Sequence, residues 1–322
     1  MTRNPRADLS RVRTISIRSR KSKVHPATFA RPFDVRRDSF SAFVAGLPGY
    51  LKAQDLRDLS QRIARARRAG KPVLVMMGAH VIKVGLAPIL VDLLERRIIT
   101  AVAMNSAASI HDVETALWAK TSEDVATNLQ DGSFGMARET GEFINGVLRE
   151  AWQSSDLGYG EALGMALIQH KAKFRSSSVL ATCARLAVPA TVHAAIGTDI
   201  IHQQPSMHGG ATGELSFRDF RTLCAVCRGL TRGAVVLNIG SAVIMPEVFL
   251  KALTVARNLG APARGFTTAV FDMLHQYRPT VNVQLRPTQG GGQGFSFTGH
   301  HELMVPLIAA MVKWELRRWN PR

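Results

Sequence analysis

The chain has 322 residues, of which 46% are hydrophobic and 20% charged, and 41 basic against 24 acidic side chains give a net charge of +17. This length suits one domain of about 280 residues with an appendage. No apolar run approaches the roughly 18 residues that a bilayer span needs, and residues 1–38 contain no apolar signal region. Three cysteines are too few for a disulfide framework and suit a reducing compartment. We therefore expect a soluble, cytoplasmic protein without a membrane partner.

The positive charge is concentrated at the start of the chain. Residues 1–38 hold eleven basic and three acidic side chains, lack helical or strand periodicity, and are rich in Ser, Arg and Pro. We predict a disordered basic arm over 1–38 and a single α/β domain over 39–322. The arm has three interpretations: a solvated flexible segment, a segment that contacts anionic partners such as nucleic acid, or an organellar transit peptide. The absence of aromatic residues before residue 29 argues against RNA recognition by stacking.

From residue 47 onward, short apolar runs alternate with helical patterns. The segment 54–69 is predicted to be an amphipathic helix, because its apolar residues share one face and Gly70 follows a basic last turn. The predicted strands are Val73–Met77, 98–104, 190–194, 234–237 and 266–271, and further helices are predicted near 86–94, 138–151, 159–174, 216–229 and 246–258. Wholly apolar strands separated by helices are typical of a parallel sheet covered on both faces. The sequence therefore predicts a Rossmann-like, doubly wound α/β fold.

Small and polar residues follow the predicted strands. They are Gly78-Ala79-His80, Asn105-Ser106-Ala107-Ala108, Gly197-Thr198-Asp199, Gly240-Ser241 and Asp272. In a doubly wound sheet, ligands bind outside the carboxyl ends of the strands, and helix N-termini there offer free N–H groups to an anion. The pattern indicates a nucleotide crevice, although short strand-to-helix turns favour small residues in any case.

The common catalytic and metal motifs are absent. The sequence contains no G-x-G-x-x-G, P-loop, G-x-S-x-G or H-E-x-x-H pattern. Cys224 and Cys227 form a C-x-x-C on a helix that a capping box of Ser216 and Asp219 is predicted to start. Because no second pair exists to complete a zinc site, buried structural cysteines are favoured over a redox or metal pair. We predict no metal site.

Two further polar residues have structural interpretations beside functional ones. His170 shares an apolar face with Leu163 and Leu167, which is typical of a core or interface histidine. Asp112 follows Ser109 in the spacing of a capping box, so it is either a ligand-binding residue of the crevice or a helix cap. The sequence leaves both alternatives for Asp112 open.

At the strand ends, the chain resembles the deoxyhypusine synthases and in particular their bacterial deoxyhypusine synthase-like relatives, over roughly 71–312. The stretches that carry the resemblance are Gly78-Ala79-His80-Val81-Ile82-Lys83-Val84-Gly85, 105–114, Asp131-Gly132-Ser133-Phe134-Gly135-Met136, Tyr277-Arg278-Pro279-Thr280 and Gly299-His300-His301-Glu302. The stretch 105–114 is also similar to the nucleotide-binding domain of bifunctional ornithine cyclodeaminases. The resemblance implies a Rossmann-like fold, bound NAD, and a homotetramer with sites at a subunit interface.

The resemblance also implies which residues contact NAD. They are His80, Val81, Ser106, Ala107, Ala108, Asp112, Asp199, Thr268, His300 and His301. Asp112 stands where the family has an acidic residue that holds the ribose hydroxyls. The family's catalytic lysine has no counterpart, because the corresponding loop near 284–288 contains arginine, which stays protonated and is not nucleophilic. The stretch 273–299 also lacks carboxylates to hold a polyamine, so we do not expect deoxyhypusine synthase activity.

Two classes of function remain. The first is an NAD-dependent transferase or related enzyme that acts on an amine, imine or carbonyl substrate. Its acid–base candidates are His80, His300, His301 and Asp199. Arg278 and Arg286 would then bind a carboxylate-bearing small molecule. The second class is a non-catalytic NAD-binding or scaffold protein of the same fold. Whether Lys83, beyond the first strand, replaces the missing lysine is left open.

Overall fold

The computed structural model describes residues 4–318 and divides the chain into two compact units, residues 1–55 and 56–322. The first unit contains helix α1 (Phe40–Gly46) and short 3₁₀ turns at Leu9–Arg11 and Pro26–Thr28. The next helix in the chain is α2 (Leu51–Arg68). The predicted boundary at residue 38 stays a prediction. Within the described residues, no helix combines the length and apolar character that a membrane span requires.

The second unit is built on a six-stranded sheet in which every pairing is parallel. The strands are β1 (Val73–Met77), β2 (Ala101–Asn105), β3 (Ala190–His193), β4 (Val235–Ile239), β5 (Thr267–Asp272) and β6 (Gln293–Thr298). Their order is β3-β2-β1-β4-β5-β6, so the direction of winding reverses between β1 and β4. This order is that of a doubly wound Rossmann-like fold, and it confirms the predicted fold class.

Helices connect the strands and pack around the sheet. They are α3 (Ala79–Lys83), α4 (Ala87–Glu95), α5 (Ser106–Trp118), α6 (Val125–Asp131), α7 (Arg138–Ser154), α8 (Tyr159–Gln169), α9 (Val179–Leu186), α10 (Gly209–Arg228), α11 (Ile244–Asn258), α12 (Tyr277–Pro279) and α13 (His301–Arg318). Short 3₁₀ turns lie at Arg175–Ser177, Ile200–Gln203 and Arg286–Thr288, and a π-helical segment lies at Thr280–Leu285.

Strand β1 shows why the sheet forms from continuous apolar runs. All five of its residues are buried, and Val75 pairs with Val102 on one side and Leu237 on the other. Because helices cover both faces of a parallel sheet, no residue of a central strand faces water. Each buried Val, Leu or Met side chain contributes about 1.5–3 kcal/mol. The apolar pattern of the sequence therefore determines the centre of the fold.

Several elements differ from the sequence prediction, including β2, which begins at Ala101 rather than at residue 98, and α8, which ends at Gln169 rather than at residue 174. Strand β6 was not predicted, and α10 begins at Gly209 rather than near residue 216. The predicted capping box is wrong, because Ser216 and Asp219 lie inside α10. Asp219 instead accepts hydrogen bonds from the amides of Gly160 and Val192 at 2.8 and 2.6 Å. Its carboxylate therefore joins three elements of the core.

The cysteine prediction is confirmed. Cys224 and Cys227 are both buried and unpaired, and both belong to the hydrophobic cluster that includes Phe249 and Phe266. Burial raises the pKa of both thiols. His170 is not a core histidine: it is exposed just beyond the end of α8, and its ring packs edge-on against Phe143 at 5.3 Å. The interface alternative stays a prediction.

Candidate functional site

Beyond the carboxyl ends of β1 and β4, where the direction of winding reverses, the space is filled by atoms of the protein itself. Gly78 follows β1 and Gly240 follows β4, and a Cβ on Gly78 would lie 2.1 Å from the carbonyl oxygen of Gly240. Gly240 has a φ of +64°, and a Cβ there would lie 2.9 Å from Nε2 of His301. Dinucleotides commonly bind at this position in doubly wound sheets. Here the backbone and the His301 ring occupy it.

His80 and His301, both predicted site residues, meet beside this position. Their ring centroids lie 5.6 Å apart. His301 is 1% exposed, and neither of its ring nitrogens has a hydrogen-bond partner among the described residues. Burial lowers the pKa of His301, and the nearby His80 acts in the same direction. The His301 ring is therefore neutral at physiological pH and has little contact with solvent.

An open pocket of about 740 Å³ lies at the carboxyl ends of β2 and β3, and we call it the edge pocket. Its walls are Lys83, one face of α5, and residues from the segments 120–125, 134–140 and 198–200. Cofactor and substrate sites commonly have volumes of about 300–1,000 Å³. Of the predicted cofactor residues, Ala107 and Asp199 line this pocket.

The face of α5 that lines the edge pocket begins at the helix N-terminus. The side chain of Asn105 caps α5 by accepting from the amide of Ala108 at 3.2 Å. Ala107 then presents only a methyl group, so a ligand can approach the first turn closely. The first amides of a helix have no intrahelical acceptor and attract anions. His111 and Glu114 follow at spacings of four and three residues, which places them on the same helix face as Ala107.

A hydrogen-bonded chain of four side chains forms one wall of the edge pocket. His111 Nδ1 lies 2.6 Å from the hydroxyl of Thr121, which donates in turn to Glu114. The other carboxylate oxygen of Glu114 accepts from the hydroxyl of Thr140 at 2.9 Å. Because Thr121 donates its only proton to Glu114, it accepts from Nδ1–H of His111. Nε2 of neutral His111 therefore carries a lone pair.

The environment of His111 keeps its ring neutral. Burial, together with electrostatic interactions with Lys83 and with the neighbouring His80, lowers the pKa of His111 to about 4. Lys83 lines the edge pocket, and His80 occupies the preceding turn of the chain in α3. His111 is thus a proton acceptor, not a cation, near neutral pH.

Asp199 provides a carboxylate at the wall formed by residues 198–200, beside the start of α5. Its side chain is 5% exposed and accepts a hydrogen bond from the hydroxyl of Ser106. Burial raises the pKa of Asp199, and the hydrogen bond from Ser106 opposes that shift. Nδ1 of His202 accepts from the amides of Gly197 and Asp199, both at 3.2 Å, so Nε2 carries the proton of the neutral ring. Ser106 therefore orients Asp199 at the pocket wall.

Asp112 lies away from the edge pocket. It is 1% exposed and accepts hydrogen bonds from the hydroxyl of Ser178 and from the amides of Val179 and Leu180, at 2.6, 2.8 and 3.0 Å. These donors form the N-terminus of α9, so Asp112 caps a helix distant in sequence. Ser109 does not begin α5, which starts at Ser106. The helix-cap interpretation of Asp112 therefore explains these contacts. The helix that Asp112 caps is α9, however, and not the helix α5 that the local pattern indicated.

Three other residues that the resemblance assigned to NAD are closed off from the edge pocket. Val81 and Ala108 are fully buried. Thr268 is also fully buried, and it is the second residue of β5, near the amino end of the strand. Four residues separate it from the carboxyl end, about 13 Å along a strand. The structure does not bring Thr268 together with Ala107 and Asp199.

The remaining predicted catalytic residues are exposed and held by neighbours. His300 Nδ1 lies 3.7 Å from Glu302. Arg278 pairs with Glu247 at 3.3 Å, and Arg286 donates to the side chain of Asn282 at 2.8 Å. The structure places none of the three on the edge pocket.

Several residues that form the edge pocket had no role predicted from the sequence. His111 and Glu114 lie within the stretch that carried the resemblance, and their helical spacing from Ala107 is a signal that could have identified them. Thr121 and Thr140 follow in a loop and in the next long helix, α7. No local pattern indicates that these two hydroxyls converge on Glu114.

No family model and no curated protein matches the sequence. Solved structures of the same fold include AgrE in complex with ornithine and NAD⁺, which is 14% identical over 83% of this chain and 34% of AgrE, with a TM-score of 0.54. A conserved LOR/SDH protein from Methanococcus maripaludis is 15% identical over 84% of this chain and 70% of that protein, with a TM-score of 0.50.

An Entamoeba histolytica protein assigned as a deoxyhypusine synthase is similar over 87% of this chain and 96% of its own, with 11% identity and a TM-score of 0.51. The resemblance to deoxyhypusine synthases is therefore confirmed at the level of the fold. The chain spans about a third of the length of AgrE and of the cyanobacterial arginine dihydrolase ArgZ, which shares the fold.

Proposed function

We propose that this protein binds NAD in the edge pocket. The observation that carries the proposal is the convergence of Ala107, at the N-terminus of α5, with Asp199, after β3, around an open pocket at the carboxyl edge of a doubly wound sheet. Ligands of such sheets bind at this edge. The complex of AgrE with NAD⁺ supports the proposal, since AgrE shares the fold.

The residues of the edge pocket fit a dinucleotide. The first turn of α5 offers amides to the diphosphate, and the methyl group of Ala107 leaves room for it. Asp199 is one of four carboxylates on the edge pocket, with Glu114, Glu123 and Glu139, and it is the one among the predicted cofactor residues, since Asp112 accepts three hydrogen bonds from the N-terminus of α9. Lys83 adds a positive charge beside the site. We therefore assign the ribose contact to Asp199 in place of Asp112.

We further propose an NAD-dependent enzyme that acts on an amine, imine or carbonyl substrate. The bound cofactor would supply a hydride acceptor or donor. Nε2 of His111 is free to accept a proton from the substrate's nitrogen or oxygen, and the pKa of about 4 keeps this nitrogen unprotonated at neutral pH. Thr121 and Glu114 fix the orientation of the ring. To bind a carboxylate-bearing substrate, Arg278 would have to leave Glu247, or Arg286 would have to leave Asn282.

The alternative is a non-catalytic NAD-binding or scaffold protein. It is favoured by the loop near 284–288, which lacks the family's lysine, and by the internal pairing of Arg278 with Glu247. A homotetramer with sites completed by a neighbouring subunit stays an expectation from the resemblance. Light scattering of the purified chain would measure the number of subunits.

Thermal unfolding with and without NAD tests binding, and absorbance of reduced nicotinamide tests catalysis. NAD at a hundredfold excess over its dissociation constant should stabilise the folded protein by about 2.7 kcal/mol. A panel of small amines and amino acids, added with NAD, should include at least one that produces reduced nicotinamide. Binding without reduction by any member of the panel would favour the non-catalytic alternative. Absence of stabilisation at millimolar NAD would contradict both.

A further inference from the structure

A second cavity, of about 410 Å³, lies at the opposite edge of the sheet. Its walls come from the last turns of α2 and from the segments that lead into β1, β4, β5 and β6. Residues 71, 232–233, 265 and 291–292 all precede their strands, so this cavity opens at the amino ends. Five-residue strands separate it from the edge pocket by roughly 16 Å. We call it the basic pocket.

Four basic side chains line the basic pocket: Arg62, Arg65, Lys71 and Arg232. Among the described residues that line it, none is acidic, and none of these four cations forms an ion pair within residues 4–318. Four converging positive charges repel one another. An anion in the cavity would relieve that repulsion.

The dipoles of nearby helices can stabilise only some of these four positive charges. α2, α10 and α11 each end at the amino edge of the sheet, where a helix C-terminus carries roughly half a negative charge. Arg65 lies in the last turn of α2 and is placed to interact with that dipole. Lys71 and Arg232 lie in loops outside any helix, and no hydrogen bond of their side chains is formed within the described residues. Their charges remain available to a ligand.

Arg62 adds a donor that lacks an acceptor. Its two terminal nitrogens donate to the side chains of Thr267 and Gln293, which fixes the guanidinium at the wall of the pocket. Its Nε is buried and has no hydrogen-bond partner among the described residues. Buried N–H donors in folded proteins nearly always have an acceptor, so an unmet one indicates a missing partner.

Glycines provide the rest of the wall. Gly233, Gly265 and Gly291 have φ values of +94°, +74° and +85°, a conformation that other residues seldom adopt. Their amides donate to no acceptor within the described part of the chain. Loops of this kind expose backbone N–H groups, which commonly bind phosphate together with arginine and lysine.

We propose that the basic pocket binds a small molecule that carries two or more phosphate groups. A cavity of this volume holds more than a single carboxylate, and its four cations come from α2 and from the segments that precede β1 and β4. Phosphates offer many acceptor oxygens to arginine and to backbone amides. This site is independent of the NAD proposal, since it lies at the other edge of the sheet and shares no lining residue with the edge pocket.

Isothermal titration calorimetry of the full chain with pyrophosphate, at constant ionic strength, tests the proposal. Pyrophosphate should bind at one site per chain and more tightly than inorganic phosphate. Lys71→Gln and Arg232→Gln should each weaken binding by about tenfold or more, because each removes a charge-assisted contact. Arg221→Gln removes the same charge from an exposed position of α10 outside the pocket and should leave the affinity unchanged.

One further titration locates the bound phosphate. Ala107→Leu, which narrows the edge pocket, should not change pyrophosphate binding. Absence of pyrophosphate binding would overturn the proposal. Equal weakening by Arg221→Gln, loss of pyrophosphate binding in Ala107→Leu, or binding of an oligonucleotide but not of pyrophosphate would overturn it as well.

Discussion

The Nδ1 nitrogen of His111 lies 2.6 Å from the hydroxyl oxygen of Thr121, and this contact fixes the tautomer of the ring that faces the edge pocket. Thr121 comes from a loop and His111 from the helix α5. The Thr121 hydroxyl donates a hydrogen bond to Glu114, so the three side chains form one directed chain of hydrogen bonds. The chemistry proposed for the pocket depends on this arrangement.

Removal of the Thr121 hydroxyl should separate His111 from Glu114. Thr121→Val keeps the shape of the side chain but leaves Nδ1–H and a carboxylate oxygen without partners, which costs about 1–3 kcal/mol of unfolding free energy. Thr121→Ser retains the hydroxyl and should cost less than half as much. Chemical denaturation of the two variants measures both values. Equal stabilities for the two variants would mean that the hydroxyl contributes nothing.

His111 should not titrate between about pH 5 and 8. Its pKa of about 4 lies below the ordinary 6.5, so the unfolded chain binds a proton that the folded chain does not. The unfolding free energy should therefore rise as the pH rises from about 4 to 6.5 and become level above that range. NMR of the histidine rings measures the titration directly. A midpoint for His111 near 6.5 would contradict the burial that we describe.

Lys83 contributes to this shift, and its removal should reverse part of it. Lys83→Gln removes a positive charge and should raise the pKa of His111, although burial is the larger cause and persists. Lys120→Gln is the matched control, because Lys120 also lines the edge pocket but does not contribute to the shift. The same NMR titration compares the two variants. An equal rise in both would mean that the charge effect is not specific to Lys83.

Asp112→Asn should destabilise the protein without affecting NAD. The amide nitrogen of asparagine cannot accept from Ser178 or from the amides of α9, so at least one buried donor loses its partner, at a cost of about 1–3 kcal/mol. Asp156→Asn, at an exposed position, should change stability by less than about 0.5 kcal/mol. Denaturation and NAD titration of both variants separate the two roles. A loss of NAD affinity with unchanged stability would restore Asp112 as a ribose ligand.

The sequence predicted the centre of the fold well and its margins poorly. Val73–Met77 was predicted with the bounds that the structure shows, because a strand buried on both faces is a continuous apolar run. β6 was missed, since it lies at the sheet edge, contains Gly294, and alternates exposed and buried residues. The start of α10 was missed because Gly209 and Gly210 are typical of a loop.

The candidate site was predicted in part for a similar reason. Ala107 and Asp199 were predicted because strand ends are visible in the sequence, and the structure places both on the edge pocket. The partners of Asp112 and of Glu114 were not, since Ser178 and Thr140 lie 66 and 26 residues away along the chain. Long-range hydrogen bonds leave no local pattern, so the sequence left open for Asp112 a ligand-binding role or a cap of its own helix, and it indicated no role for Glu114.

The protein should not transfer an aminobutyl group from a polyamine. The loop near 284–288 lacks a lysine, and Arg286 there is bound to Asn282, so no nucleophile is available to form the covalent intermediate. Incubation with radiolabelled spermidine, NAD and lysine-bearing acceptor proteins should leave the acceptors unlabelled. Label trapped on this chain by borohydride would contradict the prediction and would direct attention to Lys83.

Calorimetric titration of NAD into the wild-type chain and into Ala107→Leu tests the central claim most directly. Leucine at position 107 would fill the space that the diphosphate needs, so we predict saturable binding to the wild type and a loss of affinity of about tenfold or more in the variant. Ala126→Leu, on the exposed surface of α6, should bind as the wild type does. NAD binding that Ala107→Leu leaves unchanged would contradict the assignment of the edge pocket as the cofactor site.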